Sequence, residues 1–327
     1  MERALYEPGL GFYETGGGAG RAGDFLTSPE VGPLFGAVLA RALDGWWREL
    51  GEPEPFTVVE AGAGRGALAR GVLAAGPACG AALRYVAVER SSTLRAQLPA
   101  GVGPAADLPA EPFVGVVLAN ELLDNLPFGL LERQAGGWAE VRVTESLTET
   151  LVPVDDPPEG RLAPGAEVGA RIPVQRVARA WVDRARALVT AGRVVAIDYA
   201  DTTPSMAGRP WTDWARTYRG HGRGTHPLAD LGAQDVTCEL AVDQLPAPAS
   251  DRSQADFLRA HGIDELVAEA RDAWLARAHI GDLQALKSRS RVGEGAALTD
   301  SAGLGAFRVL EWGPGKALVQ LGRGGSP

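Results

Sequence analysis

The stretch TVVEAGAGRGALARGVLAAG, residues 57–76, constrains the fold more than any other part of the chain. An apolar run typical of a buried strand enters glycines at 62, 64 and 66, and a helix-forming pattern follows. A strand–turn–helix of this kind is a building unit of parallel α/β sheets, and its turn is a place to hold a cofactor. Two fingerprints fit it. Gly62-x-Gly64-x-x-Ala67 matches a dinucleotide pattern with alanine in third place. Glu60-x-Gly62-x-Gly64-x-Gly66 matches the loop that holds S-adenosylmethionine. The turn alone does not choose between them.

The remaining sequence extends the same alternation. RYVAVER (84–90), FVGVVLANE (113–121) and RVVAIDYA (193–200) read as further strands. Residues 33–50 and 174–192 carry helical periodicity, and 253–278 reads as two helices. GLLERQAGGWAEVRVTE (129–145) reads as a hairpin turning at Gly136-Gly137. Five glycines between Gly16 and Gly23 spell a loop, and 200–232 has little apolar periodicity. AFRVLEW and ALVQLG look like paired strands around Gly313-Pro314-Gly315. Strands alternating with helices predict an α/β fold with a mostly parallel sheet wound on both faces. A terminal antiparallel hairpin favours a Rossmann-like methyltransferase arrangement over a nicotinamide enzyme. In such sheets the ligand sits beyond the carboxyl ends of the strands. Those ends carry Glu60, Glu89, Asn120-Glu121 and Asp198-Tyr199, four polar ends converging on one rim.

Composition excludes several classes. A net charge of −9 and a pI near 5.1 argue against a nucleic-acid partner, whose phosphates need a basic surface. Cys79 and Cys238 form neither a disulfide framework nor a zinc site, and with four histidines in no paired spacing no metal is expected. No run of 18 apolar residues exists and the start has no apolar signal core, so a cytoplasmic protein without a membrane span is expected.

At this point the sequence resembles the MidA-like methyltransferases, whose mitochondrial members serve as complex I assembly factors and methylate protein arginine. The resemblance runs nearly end to end. It is carried by ALYEPGLGFYETGGGAGRAGDFLTSPEVGPLFG (4–36), VVEAGAGRGAL (58–68), LANELLDNLPF (118–128), AIDYA, RTYRGHGRGTHPLADLGAQDVT and SQADFLRAHGI. Ala61, Ala63, Ala67 and Ala200 depart from the family pattern. The resemblance implies a class I fold dependent on S-adenosyl-L-methionine (SAM). Residues 1–50 would form an N-terminal lid and leading helix, and 51–200 the cofactor-binding core. Residues 201–300 would form a mainly helical insertion walling the acceptor site, and 301–327 strands completing the sheet. Oligomeric state stays open.

The resemblance also assigns roles. Glu60 would orient the methionine end of the cofactor, Gly62, Gly64 and Gly66 would let the backbone approach it, and Glu89 would accept the ribose hydroxyls. Asp24 would touch the cofactor from a lid; the alternative is a turn aspartate bonding its own backbone. Asn120 belongs to the same binding set. If the acceptor is a protein arginine, carboxylates should grip its guanidinium with forked hydrogen bonds, and Glu121 and Asp124 are the candidates. The alternative places Asp124 as a helix cap and Glu121 on the cofactor. His221 is a candidate proton acceptor, or simply a structural loop histidine. Three functions compete: a SAM-dependent protein methyltransferase, a SAM-binding assembly factor with little turnover, and a nicotinamide-dependent oxidoreductase.

Overall fold

A computed structural model describes residues 1–15, 17, 27–220 and 222–315. The chain opens with α1 (Glu2–Tyr6), α2 (Ser28–Val31) and α3 (Pro33–Glu49). Proline at the first turn of both α2 and α3 supplies a φ already set for a helix and removes an N–H that would have no partner there. Then come β1 (Phe56–Ala61), α4 (Ala67–Ala74), β2 (Leu83–Val88), α5 (Ser92–Arg95), β3 (Gly103–Ala105) and β4 (Phe113–Asn120). An excursion follows as β5 (Gly129–Gln134), β6 (Gly137–Val143), β7 (Glu149–Val154) and β8 (Arg171–Val174). The chain returns through α6 (Arg176–Leu188) and β9 (Val189–Asp198). Short pieces succeed one another: β10 (Ala200–Asp201), α7 (Thr203–Ala207), β11 (Ala215–Arg219), β12 (Gly222–Arg223), β13 (Asp235–Cys238), β14 (Leu240–Ala241) and β15 (Ser250–Ser253). Helices α8 (Gln254–Ala260), α9 (Ile263–Arg277) and α10 (Leu283–Thr299) precede the last described strand, β16 (Arg308–Trp312).

Seven strands form the central sheet in the order β15-β16-β9-β4-β1-β2-β3. Neighbours from β9 to β3 are parallel, while β16 runs antiparallel to both β9 and β15. Every residue of β1 is buried, as expected for a central strand covered on both faces. Its alternation splits the core: Val58 faces a cluster built with α3, α4, α8 and Leu298 of α10, and Val59 faces one built with α6. The strand ends therefore sit at a common edge, and the turns leaving them build the site.

Three expectations differ from what the structure shows. The hairpin turns at Ala135-Gly136, because Gln134 pairs with Gly137. Strand β16 takes β15 as its antiparallel partner, and the ALVQLG segment falls outside the described residues. Residues 201–253 are short strands and turns; helix is dominant only from Gln254 onward. The reason is tertiary. These short pieces gather a small apolar cluster of Met206, Trp214, Ala215, Cys238 and Ala241, and are also held by cross-links such as the Gln175 and Gln244 side chains bonding to Ala241, Glu239, Pro173 and Thr203.

Candidate functional site

The glycine loop leaves β1 with Gly62, Gly64 and Gly66 at φ of 71°, 53° and 76°. That left-handed region is costly for residues with a Cβ. At Gly66 a Cβ would also lie 2.6 Å from Cδ of Pro99, whereas at Gly64 it would meet no atom within 4 Å. Gly64 thus borders open space, a cavity of about 350 Å³. The loop, the ends of β2, β3 and β4, part of α6 and the N-terminal segment line it. Among the described residues, none that lines it comes from 201–300. Its outer wall is instead made by Tyr6, Tyr13, Glu30 and Trp181.

Glu60, Glu89, Asn120 and Glu121 all border this cavity. Glu60, at the end of β1, accepts a hydrogen bond from the Tyr85 hydroxyl at 2.8 Å. Burial outweighs that bond and pushes its carboxyl up to about 7. Glu89 spans the loop: Oε2 accepts from the Gly64 amide at 2.9 Å and Oε1 from the Ser91 amide at 2.8 Å. Burial raises its pKa, and the two amide bonds pull against that rise. Asn120 donates to Glu121 Oε1 at 3.1 Å, while its own Oδ1 is buried without a partner. A buried acceptor left unpaired at a cavity wall costs stability unless a ligand supplies the donor.

Glu121 has φ of 50°, an uncommon conformation for a side-chain-bearing residue. Its Oε1 accepts from the Ser28 amide at 3.0 Å as well as from Asn120, so Oε2 is left without a protein hydrogen bond among the described residues. Burial, with added repulsion from Asp198 and Glu30, pushes its carboxyl up to about 8. The Ser28 amide is itself placed from behind. The Ser28 hydroxyl donates to Gln254 Oε1 at 3.0 Å, and Gln254 Nε2 donates to the Leu298 carbonyl at 3.2 Å. Helices α8 and α10 are thereby tied to the carboxylate on the opposite side of α2.

Asp124 occupies a different place. It is buried in the short turn after β4 and does not border the cavity. Its Oδ1 has no partner, and burial beside Asp198 and Asp235 drives its carboxyl well above the ordinary range. Nor does it cap the turn. Asp198 does so, with Oδ2 accepting from the Leu123 and Asp124 amides at 3.0 and 3.1 Å and Oδ1 accepting from Tyr199 at 2.9 Å. Asn125 then bonds Asp235, which also accepts from the Tyr13 hydroxyl at 3.0 Å. The Tyr6 hydroxyl donates to the Asn125 carbonyl at 3.3 Å, and the Arg90 guanidinium lies 4.6 Å above the Tyr6 ring. Asp24 and His221 lie outside the described residues.

The structure adds Tyr6, Tyr13, Glu30, Arg90 and Trp181 to the candidate set. Tyr6 and Tyr13 stand in the N-terminal signature block, but nothing in spacing alone says that an aromatic so far along the chain closes over a strand end. Arg90 directly follows Glu89, and that adjacency was the available signal.

The cavity fits a cationic, nucleoside-bearing ligand: a glycine cradle, acidic side chains at three strand ends and an orphaned amide oxygen. Glu89 would hold its ribose, with Glu60 and Asn120 at its charged end. A sheet of this order and direction, with its site at the β1 loop, defines a Rossmann-like class I methyltransferase. Residues 38–260 match a family model described as "Putative S-adenosyl-L-methionine-dependent methyltransferase". The chain belongs to this family, and its cofactor is SAM. The MidA-like resemblance stands, and the nicotinamide reading of the loop is set aside.

A crystal structure of a superfamily member from Burkholderia thailandensis, bound to S-adenosyl-homocysteine (SAH), superposes with a TM-score of 0.78 at 29% identity, over 98% of this chain and 89% of that one. The protein arginine methyltransferase NDUFAF7, mitochondrial, of Danio rerio is 25% identical over 81% of this chain and 72% of its own length. Its Drosophila melanogaster homolog is 47% identical across 73 residues, which is 22% of this chain and 17% of that protein. No group of three potential metal ligands occurs among the described residues, and no described helix is long and apolar enough to cross a membrane.

Proposed function

We propose that this protein methylates an arginine side chain of a protein acceptor. Glu121 is the observation that carries the proposal. It is a carboxylate at the cavity wall, fixed through one oxygen by Ser28 and Asn120, with the other free of protein hydrogen bonds among the described residues. A guanidinium presents parallel N–H groups, which a fixed carboxylate can orient. Glu30 at the same cavity adds acidic character that favours a cationic side chain, while Glu2 is paired with Arg90. Relatives bearing the name protein arginine methyltransferase support the choice of acceptor.

When bound, SAM supplies an electrophilic methyl group on a positively charged sulfur. The chain's part is alignment, exclusion of water and management of the acceptor's charge. Glu121 would hold the guanidinium so that one nitrogen faces the methyl and would draw charge toward the nitrogens that keep their protons. Tyr6, Tyr13 and Trp181 would close the cavity against solvent. Asp124 acts one layer back, beneath the turn that presents Glu121.

The test is transfer of labelled methyl from SAM to arginine-containing peptides, with lysine-substituted peptides as controls. Glu121→Gln is expected to lower turnover by about a hundredfold or more while SAH binding stays within severalfold. Label on lysine peptides alone, or full turnover in Glu121→Gln, would overturn the assignment.

A further inference from the structure

Helices α9 and α10 form an antiparallel hairpin whose base packs on α2 and α3 and whose tip stands clear of the molecule. The tip is built rather than frayed. Asp282 caps α10 through the Ala285 amide at 2.9 Å and pairs with Arg277, and the Arg289 guanidinium stacks 5.7 Å over Trp274 across the two helices. On this scaffold Leu275, Ile280, Leu283 and Leu286 are 59%, 56%, 67% and 57% exposed. Leu283 and Leu286 are three apart and share one face of α10. Other exposed large apolar residues are either single, such as Leu10, Val168 and Leu231, or the less exposed Val143, Leu147 and Leu151 on the β6–β7 hairpin. A cluster of four on one protrusion is the kind of patch that marks an interaction site.

Charge sets the occupant. From Arg271 to Arg291 the chain carries five basic residues against two acidic ones, Asp272 and Asp282, within a molecule of net charge −9. Asp282 is already neutralised by Arg277, which leaves Lys287, Arg289 and Arg291 beside the exposed leucines. Apolar side chains flanked by Lys and Arg suit an interface of acyl chains and anionic headgroups. The acidic remainder of the molecule, net charge −9, is repelled by that same partner and so fixes the orientation.

We propose that the α9–α10 tip is a docking surface for an anionic lipid bilayer. The full chain is mixed with vesicles of phosphatidylcholine alone and of phosphatidylcholine with phosphatidylglycerol, and bound protein is measured by sedimentation. Binding is expected on the anionic vesicles only and should weaken with salt. Leu283→Ser with Leu286→Ser, and separately Lys287→Gln with Arg291→Gln, should each lower partition about tenfold with SAH binding unchanged. Absence of binding to anionic vesicles, or equal binding by the leucine variant, overturns the proposal. Self-association or capture of an acidic protein that the leucine variant abolishes, without vesicle binding, assigns the tip to a protein contact and overturns it as well.

Discussion

At the scale of single residues, the site is a set of carboxylates kept from full ionisation. Glu121 is pushed up to about 8, and Glu60 and Asp198 to about 7, in each case chiefly by burial. In the unfolded chain these groups return to the ordinary carboxylate range. Between that range and the folded values the native state binds more protons than the unfolded state does. Their stabilising effect is therefore complete below the ordinary carboxylate range and is lost as pH rises through about 8. Denaturant unfolding across this window should show stability falling with rising pH. Glu121→Gln should flatten the upper part of the curve, since a neutral amide has no proton to lose. A curve of unchanged slope in that variant would remove Glu121 from the titrating set. The same residue explains a limit of sequence reading. Its position at a strand end was legible, but its φ and its shared contact with Ser28, 93 positions away, were not.

At the scale of elements, the turn after β4 decides what the cavity sees. The segment Leu118–Phe128 was recognisable from its pattern, and both of its acids looked equally suited to contact a substrate. The turn separates them: Glu121 borders the cavity and Asp124 is buried behind it. Asp198 enforces this from the end of β9 by accepting three backbone N–H groups. Asp198→Ala leaves those donors without their acceptor, each costing about 1–3 kcal/mol. The expected outcome is a melting temperature lower by several degrees and loss of both cofactor and acceptor binding. Asp124→Asn should cost little in folding, because burial, with Asp198 and Asp235 nearby, disfavours the charged carboxylate, and the side-chain Oδ1 has no partner to lose. Comparing thermal melts of the two variants checks this. A large loss in Asp124→Asn, with Asp198→Ala unaffected, would reverse the roles.

At the scale of the whole molecule, the cavity is assembled from parts far apart in the chain. It takes the N-terminal segment, three strand ends and α6 to enclose it. A ligand that fills it should stabilise the native state by mass action, about 2.7 kcal/mol at a hundredfold excess over its Kd. For a chain of this size that corresponds to a rise of several degrees in Tm. SAH should produce that rise, and Glu89→Ala should abolish most of it, since Glu89 joins the glycine loop to the end of β2. A thermal shift of equal size in the variant would argue that the loop holds the cofactor without Glu89.

By itself the sequence determined what local periodicity and short-range stereochemistry encode. Strand β1, the glycine turn and α4 follow from an apolar run, three residues without a Cβ and a helix-forming stretch, and β2, β4, α6 and β9 follow from the same alternation. The convergence of Glu60, Glu89, Asn120 and Glu121 on one rim followed too, because parallel strands place their carboxyl ends together, but the fourth expected end, Asp198-Tyr199, does not border the cavity. The tertiary structure alone decided the rest. The short strands between residues 200 and 253 have no periodicity strong enough to announce them; they are held by pairing with one another, by a small cluster around Met206, Trp214 and Cys238, and by the buried Gln175 and Gln244 side chains. That Tyr6 and Tyr13 wall the cavity, that Asp198 rather than Asp124 holds the turn, and that α8 and α10 brace Ser28 are all contacts between residues remote in sequence. Such contacts are set by how faces pack and where buried polar groups find partners, and neither is written in the spacing of a single stretch.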